Sequence, residues 1–124
     1  MDDSHWFAGT GMAGWVIVAL AAVMLAGGIV AAVLRVSRRT AILLLFGCQL
    51  PLFAGIAGMM IGRSNVDAYM ASHPEATAAD RELGEEESLR CLYLGLSAML
   101  ICDTAAAVAL VRARPPEGPL QPPA

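Results

Sequence analysis

Lysine is absent from this chain, and all eight of its basic side chains are arginine. Charge of either sign is sparse: Asp, Glu and Arg make up 15% of the residues against 57% hydrophobic, too little charge to coat a water-soluble surface. A net charge of −3 with no basic run argues against nucleic acid as a partner, since phosphate binding needs a clustered cationic face. Only His5 and His73 are available as imidazole ligands, so a zinc or haem site lacks its donor set. The three cysteines, Cys48, Cys91 and Cys102, are odd in number and show no CxxC spacing. They are expected to pack as small apolar side chains, with no disulfide or metal role. No nucleophile, base and anion-stabilising set converges in the sequence, so neither an enzyme nor a cofactor is expected.

Long apolar runs are what the chain has. The first, Met12 to Leu34, holds no charge; the second, Thr40 to Gly62, lies between Arg39 and Arg63; the third, Cys91 to Val111, lies between Arg90 and Arg112 and contains Asp103. A hydrocarbon core of ~30 Å takes about 20 helical residues, so each run is long enough to cross. None alternates with period two, which excludes barrel strands. The expected fold is an all-α membrane protein with three transmembrane helices, about 12–36, 40–62 and 89–111. It forms one membrane domain, with an outer acidic loop over 63–88 and a disordered proline-rich tail over 113–124. The acidic head MDDSHWF and the length of the first run favour a retained helix over a cleaved signal peptide. Arginine without lysine, in a chain rich in Ala, Gly and Pro, points to a GC-rich bacterial genome and hence to a bacterial inner membrane.

Arginine placement gives an orientation. Arg35, Arg38 and Arg39 separate the first two runs and Arg112 and Arg114 follow the third, whereas Arg63, Arg81 and Arg90 fall between the second and third. The positive-inside rule then predicts the N-terminus outside and the C-terminus inside. Trp6, Phe7, Trp15, Tyr69 and Tyr93 gather toward the outer interface on the same assignment.

Two features of the runs bear on function. Gly47, Pro51, Ala54, Gly55, Gly58 and Gly62 recur every three or four residues and draw a stripe of small residues down the second helix. Such stripes let helix backbones approach closely in lipid, where no hydrophobic force drives helices together. Pro51 removes an amide hydrogen and is expected to bend that helix. On the third helix, Asp103 costs about 2.5–3.5 kcal/mol on insertion scales, so it needs a hydrogen-bonding partner or a proton and is a candidate ion-pathway residue, with Thr104 beside it. Counted inward from Arg112 and from Arg39 at about 1.5 Å per residue, Asp103 and Gln49 lie at one depth, which adds Gln49 to the candidates. At 100° per residue Gln49 points about 160° away from Pro51. If the stripe meets the third helix of the same chain, Gln49 is expected to face the first helix or another subunit.

The stretch Pro51-Leu-Phe-Ala-Gly55-Ile-Ala-Gly58-Met-Met-Ile-Gly62 resembles the second core helix of the MotA/TolQ/ExbB proton-channel family, in which a proline precedes a G-x-x-G-T-V-x-G run. The third helix, Leu94 to Leu110, is similar to that family's last helix, with Thr104 at a threonine position and Asp103 in place of another threonine. The opening Phe7 to Trp15 is similar to the amphipathic lead of ExbB. The resemblance implies a homo-oligomer in the lipid bilayer that passes protons along a cavity lined by the second and third helices, with a single-span partner of the ExbD or TolR kind. The chain departs from the pattern at Met59, where the family has a pore threonine, and at Met99, about where it has a glutamate. The large cytoplasmic insertion of the family is cut to a few residues. The alternative reading is a non-conducting membrane scaffold or accessory subunit packing through its glycine-rich helix. A third, a rotor-ring subunit of the ATP-synthase kind, is disfavoured by the acidic outer segment and the extra first helix.

The orientation is tested by reporter fusions. Fusions after Ser37 and at the C-terminus are expected to read cytoplasmic and a fusion at Glu75 external; a cytoplasmic signal from Glu75 reverses the assignment.

Overall fold

A computed structural model describes residues 11–114, almost all of them helical. The elements are α1 (Gly11–Leu34), α2 (Arg38–Gly47), α3 (Leu50–Ser72) and α4 (Ala78–Arg112). α2 and α3 follow each other across a two-residue turn, so the chain crosses the bundle three times, over 11–34, 38–72 and 78–112. Each passage is long and apolar enough to span a membrane. The surface agrees: Leu43, Phe46 and Val111 are among many large apolar side chains pointing outward. That surface suits a multi-pass membrane protein and would be costly in water. The amphipathic lead from Phe7, the aromatic residues Trp6 and Phe7, and the proline-rich tail from Pro115 lie outside the described residues.

The segment expected as an outer loop over 63–88 is mostly helix. α3 continues to Ser72 and α4 begins at Ala78, leaving 73–77 as the connection. The expected bounds end the helices where the apolar residues end, although the acids ahead of Cys91 favour a third helix that begins well outside the membrane; a helix continues past the hydrocarbon wherever its backbone stays paired and its caps are good. His73 leaves the helical region before Pro74, which disfavours α geometry in the preceding residue. Thr77 then caps α4. Its amide and hydroxyl donate to Asp80 Oδ2 at 2.8 and 2.7 Å, and the Asp80 amide donates back to Thr77 Oγ1 at 3.4 Å, a capping box. These donors hold the Asp80 carboxyl below its ordinary range. Arg81 bridges the two arms, pairing with Asp67 on α3 at 3.2 Å and with Glu85 at 3.0 Å. α4 runs without interruption through Gly84, whose bare Cα receives the Val66 side chain.

α3 and α4 are antiparallel and meet along small residues. A methyl built on Gly55 would lie 2.7 Å from the Cys91 carbonyl oxygen and 3.1 Å from Gly95 Cα. One built on Gly95 would lie 2.5 Å from the Pro51 carbonyl oxygen and 3.0 Å from Gly55 Cα. Backbone therefore touches backbone at this crossing. Gly62 packs on Ser88 and Gly58 on Cys91 and Ala13. Gly47 departs from the rest of the stripe, because it faces the flexible Met24 side chain of α1. α1 completes the bundle through Ile17, fully buried against Cys91 and Ala98, and through Ala31 and Ala32, which pack with Ala109.

The α1–α2 turn is built without glycine. The Val36 amide donates to the Ala31 carbonyl at 3.3 Å and Arg35 takes φ +49°, the left-handed position of a Schellman cap. Val36 packs beside Ala31, the apolar contact that accompanies such caps. The turn is tied to the end of α4, where the Arg114 amide donates to the Val36 carbonyl at 3.2 Å.

The seam sets a stability prediction. Gly55→Ala should destabilise the bundle by about 1–3 kcal/mol, because backbone on both sides must move apart. Gly27→Ala, which meets only Leu44 Cδ2 at an ordinary 3.4 Å, should stay within roughly 0.5 kcal/mol of the parent. Thermal unfolding in one detergent compares the two, and equal midpoints would refute a tight seam.

Candidate functional site: a polar layer at mid-span

The second passage breaks where the sequence expects a bend. Pro51 offers no amide to the Gly47 carbonyl, four residues back, so the regular ladder cannot pass through this point. Cys48 (φ −64°, ψ −12°) and Gln49 (φ −77°, ψ −18°) take shallow, 3₁₀-like angles. The Cys48 amide still reaches Leu44 at 2.9 Å, but the Gln49 amide donates one residue short, to Phe46 at 3.2 Å; the α-pattern resumes with Phe53 donating to Gln49 at 3.1 Å.

Gln49 lies beside Asp103 of α4. Its Nε2 donates to both carboxyl oxygens, Oδ1 at 3.1 Å and Oδ2 at 3.2 Å, in a partly buried setting. The depth estimate is therefore met, while the angular expectation is overturned. The glycine stripe packs on α4 of the same chain, and Gln49 still reaches Asp103 there. Two features explain it. The break interrupts the 100° progression between Gln49 and Pro51 on which the estimate relied. Each partner also follows a buried cysteine, Cys48 or Cys102, by one residue, and in an antiparallel pair such successors fall on the same flank of the contact.

The cysteines themselves extend the layer. Cys48 and Cys102 lie in one buried cluster, and Cys102 Sγ donates to the Ala21 carbonyl of α1 at 3.5 Å. Both are thiols, buried with Ala106 among Ala21, Met24, Leu25 and Leu45. They pack as expected, and the Cys102 thiol also ties α4 to α1. The sequence reading missed this. The available signal was that Cys48 sits at the depth of Gln49, and Cys102 beside Asp103.

Thr104 does not join the pair. Its Oγ1 donates to the Leu100 carbonyl at 2.8 Å, and the residue faces outward. Ser97 is likewise exposed and lines a shallow groove of about 300 Å³ between α1 and α4, whose other walls include Ile17, Ala21, Leu25, Ile101 and Cys102. Among the described residues, the mid-span polar set is thus Gln49 and Asp103, backed by two thiols and flanked by an apolar groove. The arrangement can hold the broken helix to α4. Comparison with protein families, curated proteins and solved structures gives no match for this chain.

A double-mutant cycle measures what the pair contributes. Gln49→Leu and Asp103→Leu should each lower bundle stability, with a coupling of roughly 0.6–2 kcal/mol, the range for hydrogen bonds between helices in a membrane. Additive effects in detergent unfolding would show that the observed hydrogen bonds contribute nothing to stability.

Proposed function

We propose that this chain is a small, non-enzymatic membrane subunit whose Gln49–Asp103 pair is a structural clasp. The observation that supports it is that the carboxyl finds its partner inside the chain, across the break next to Pro51. A clasp at this point fastens the interrupted stretch of the second passage to the uninterrupted α4. The scaffold reading takes a modified form. The face of the stripe from Pro51 to Gly62 is occupied by α4, so a partner subunit would meet other faces, such as the outward side of α4 that carries Ser97 and Thr104.

The second reading is the ExbB/TolQ-like one, an oligomer passing protons through Asp103. It is favoured by one observation: Asp103 is only partly buried, so the single carboxyl in the middle of the span is open on one side to whatever packs there. Against it stands Thr104, which directs its hydroxyl to its own helix.

Proton flux separates the two. Asp103→Asn keeps the size and a hydrogen-bonding partner for Gln49 while removing the exchangeable proton. For a clasp, liposomes containing the parent chain should leak protons no faster than empty ones, and Asp103→Asn should unfold close to the parent. A parent-dependent flux that Asp103→Asn abolishes would replace the clasp with the conducting oligomer.

A further inference from the structure

Five arginines that are scattered in the sequence converge on one end of the bundle. Arg35, Arg38 and Arg39 lie in or beside the α1–α2 turn, and Arg112 and Arg114 lie at the end of α4. The hydrogen bond from the Arg114 amide to the Val36 carbonyl, with the parallel bridge between Ser37 and Arg114, fastens these two segments together. All five residues are exposed, and among the described residues none of the five forms an ion pair. At the opposite end Arg81 and Arg90 are each paired with acids, while Arg63 is exposed and forms no ion pair among the described residues.

The cluster is also poorly matched to its own backbone. Arg35 and Arg112 sit at helix C-terminal ends, where a cation is favourable, but Arg38 and Arg39 occupy the first turn of α2 with no acid beside them. Immediately inward, Val33, Leu34, Leu43 and Val111 are exposed, as side chains facing hydrocarbon would be. The charges therefore border the exposed apolar band at this end of the bundle.

We infer that the arginine-bearing end binds the phosphate headgroup of an anionic phospholipid. Guanidinium groups form paired hydrogen bonds to phosphate oxygens, and the segments that carry Arg38, Arg39 and Arg114 are held together, with no ion pair to any of the three among the described residues. The acyl chains of such a lipid run along the exposed apolar residues just below, which selects a membrane lipid over a free ion.

The test uses the full chain reconstituted in phosphatidylcholine vesicles with and without phosphatidylglycerol, read by native mass spectrometry of retained lipid and by amide exchange over 35–39. Phosphatidylglycerol is expected to be retained and to slow that exchange. Arg38→Gln, Arg39→Gln and Arg114→Gln should each weaken retention about fivefold, while Arg63→Gln at the far end leaves it unchanged. Arg38→Lys, which keeps the charge, should retain more lipid than Arg38→Gln, and circular dichroism verifies that each variant is folded. Equal losses in the lysine and glutamine variants, or no preference for phosphatidylglycerol, would overturn the inference. So would inorganic phosphate giving the same protection in phosphatidylcholine alone, because the site would then serve a free anion.

Discussion

The contact on which the bundle depends is the one between Gly55 and Gly95, where two helix backbones meet with no side chain between them. In lipid, helices gain little from hiding apolar surface, and their association rests on close packing and on hydrogen bonds between them. Once α3 and α4 are in register at this point, the other pairs follow in step: Gly62 on Ser88, Gly58 on Cys91, and Cys48 level with Cys102. α1 then packs across the pair through Ile17 and its run of alanines. A seam this narrow leaves no room for adjustment, and it fixes the depth at which every polar group on the two helices sits.

The polar layer is a consequence of that register. With the cysteines facing each other, their successors Gln49 and Asp103 are brought to one flank, and the break at Pro51 gives Gln49 the freedom to close on the carboxyl. A proline in mid-helix usually costs a hydrogen bond and a clash. Here the same proline also lies in the seam, where its carbonyl is the nearest neighbour of Gly95. The break and the close approach are therefore one feature seen from two sides.

Much of this was legible in the sequence, for physical reasons that can be named. The three spans follow from apolar length alone, and the stripe from Gly55 to Gly62 correctly marks a contact face. The shared depth of Gln49 and Asp103 came from counting residues at a fixed rise. What could not be read depends on departures from ideal geometry. An unbroken 3.6-residue helix put Gln49 on the wrong side, and assigned Gly47 to the same partner as Gly55, although it meets Met24 of α1. The extension of α3 past Gly62 was hidden because polar composition there looks like loop, whereas the acids ahead of Cys91 already favour an early start for α4. The capping box of Thr77 and Asp80 was the available clue. The left-handed Arg35 gave no signal, since glycine is the usual residue at that position. The five arginines already fall on one side by the positive-inside count; what no local run displays is the hydrogen bond from Arg114 to Val36 that joins their two segments.

The bond between Arg114 and Val36 has a bearing on the order of assembly. The turn after α1 contains a non-glycine residue in a left-handed conformation, which costs roughly 1–2 kcal/mol. One of its carbonyls accepts from an amide that is synthesised only after α4. The turn therefore gains this hydrogen bond only once the last passage has been made, and Arg114, two residues past α4, acts as its latch.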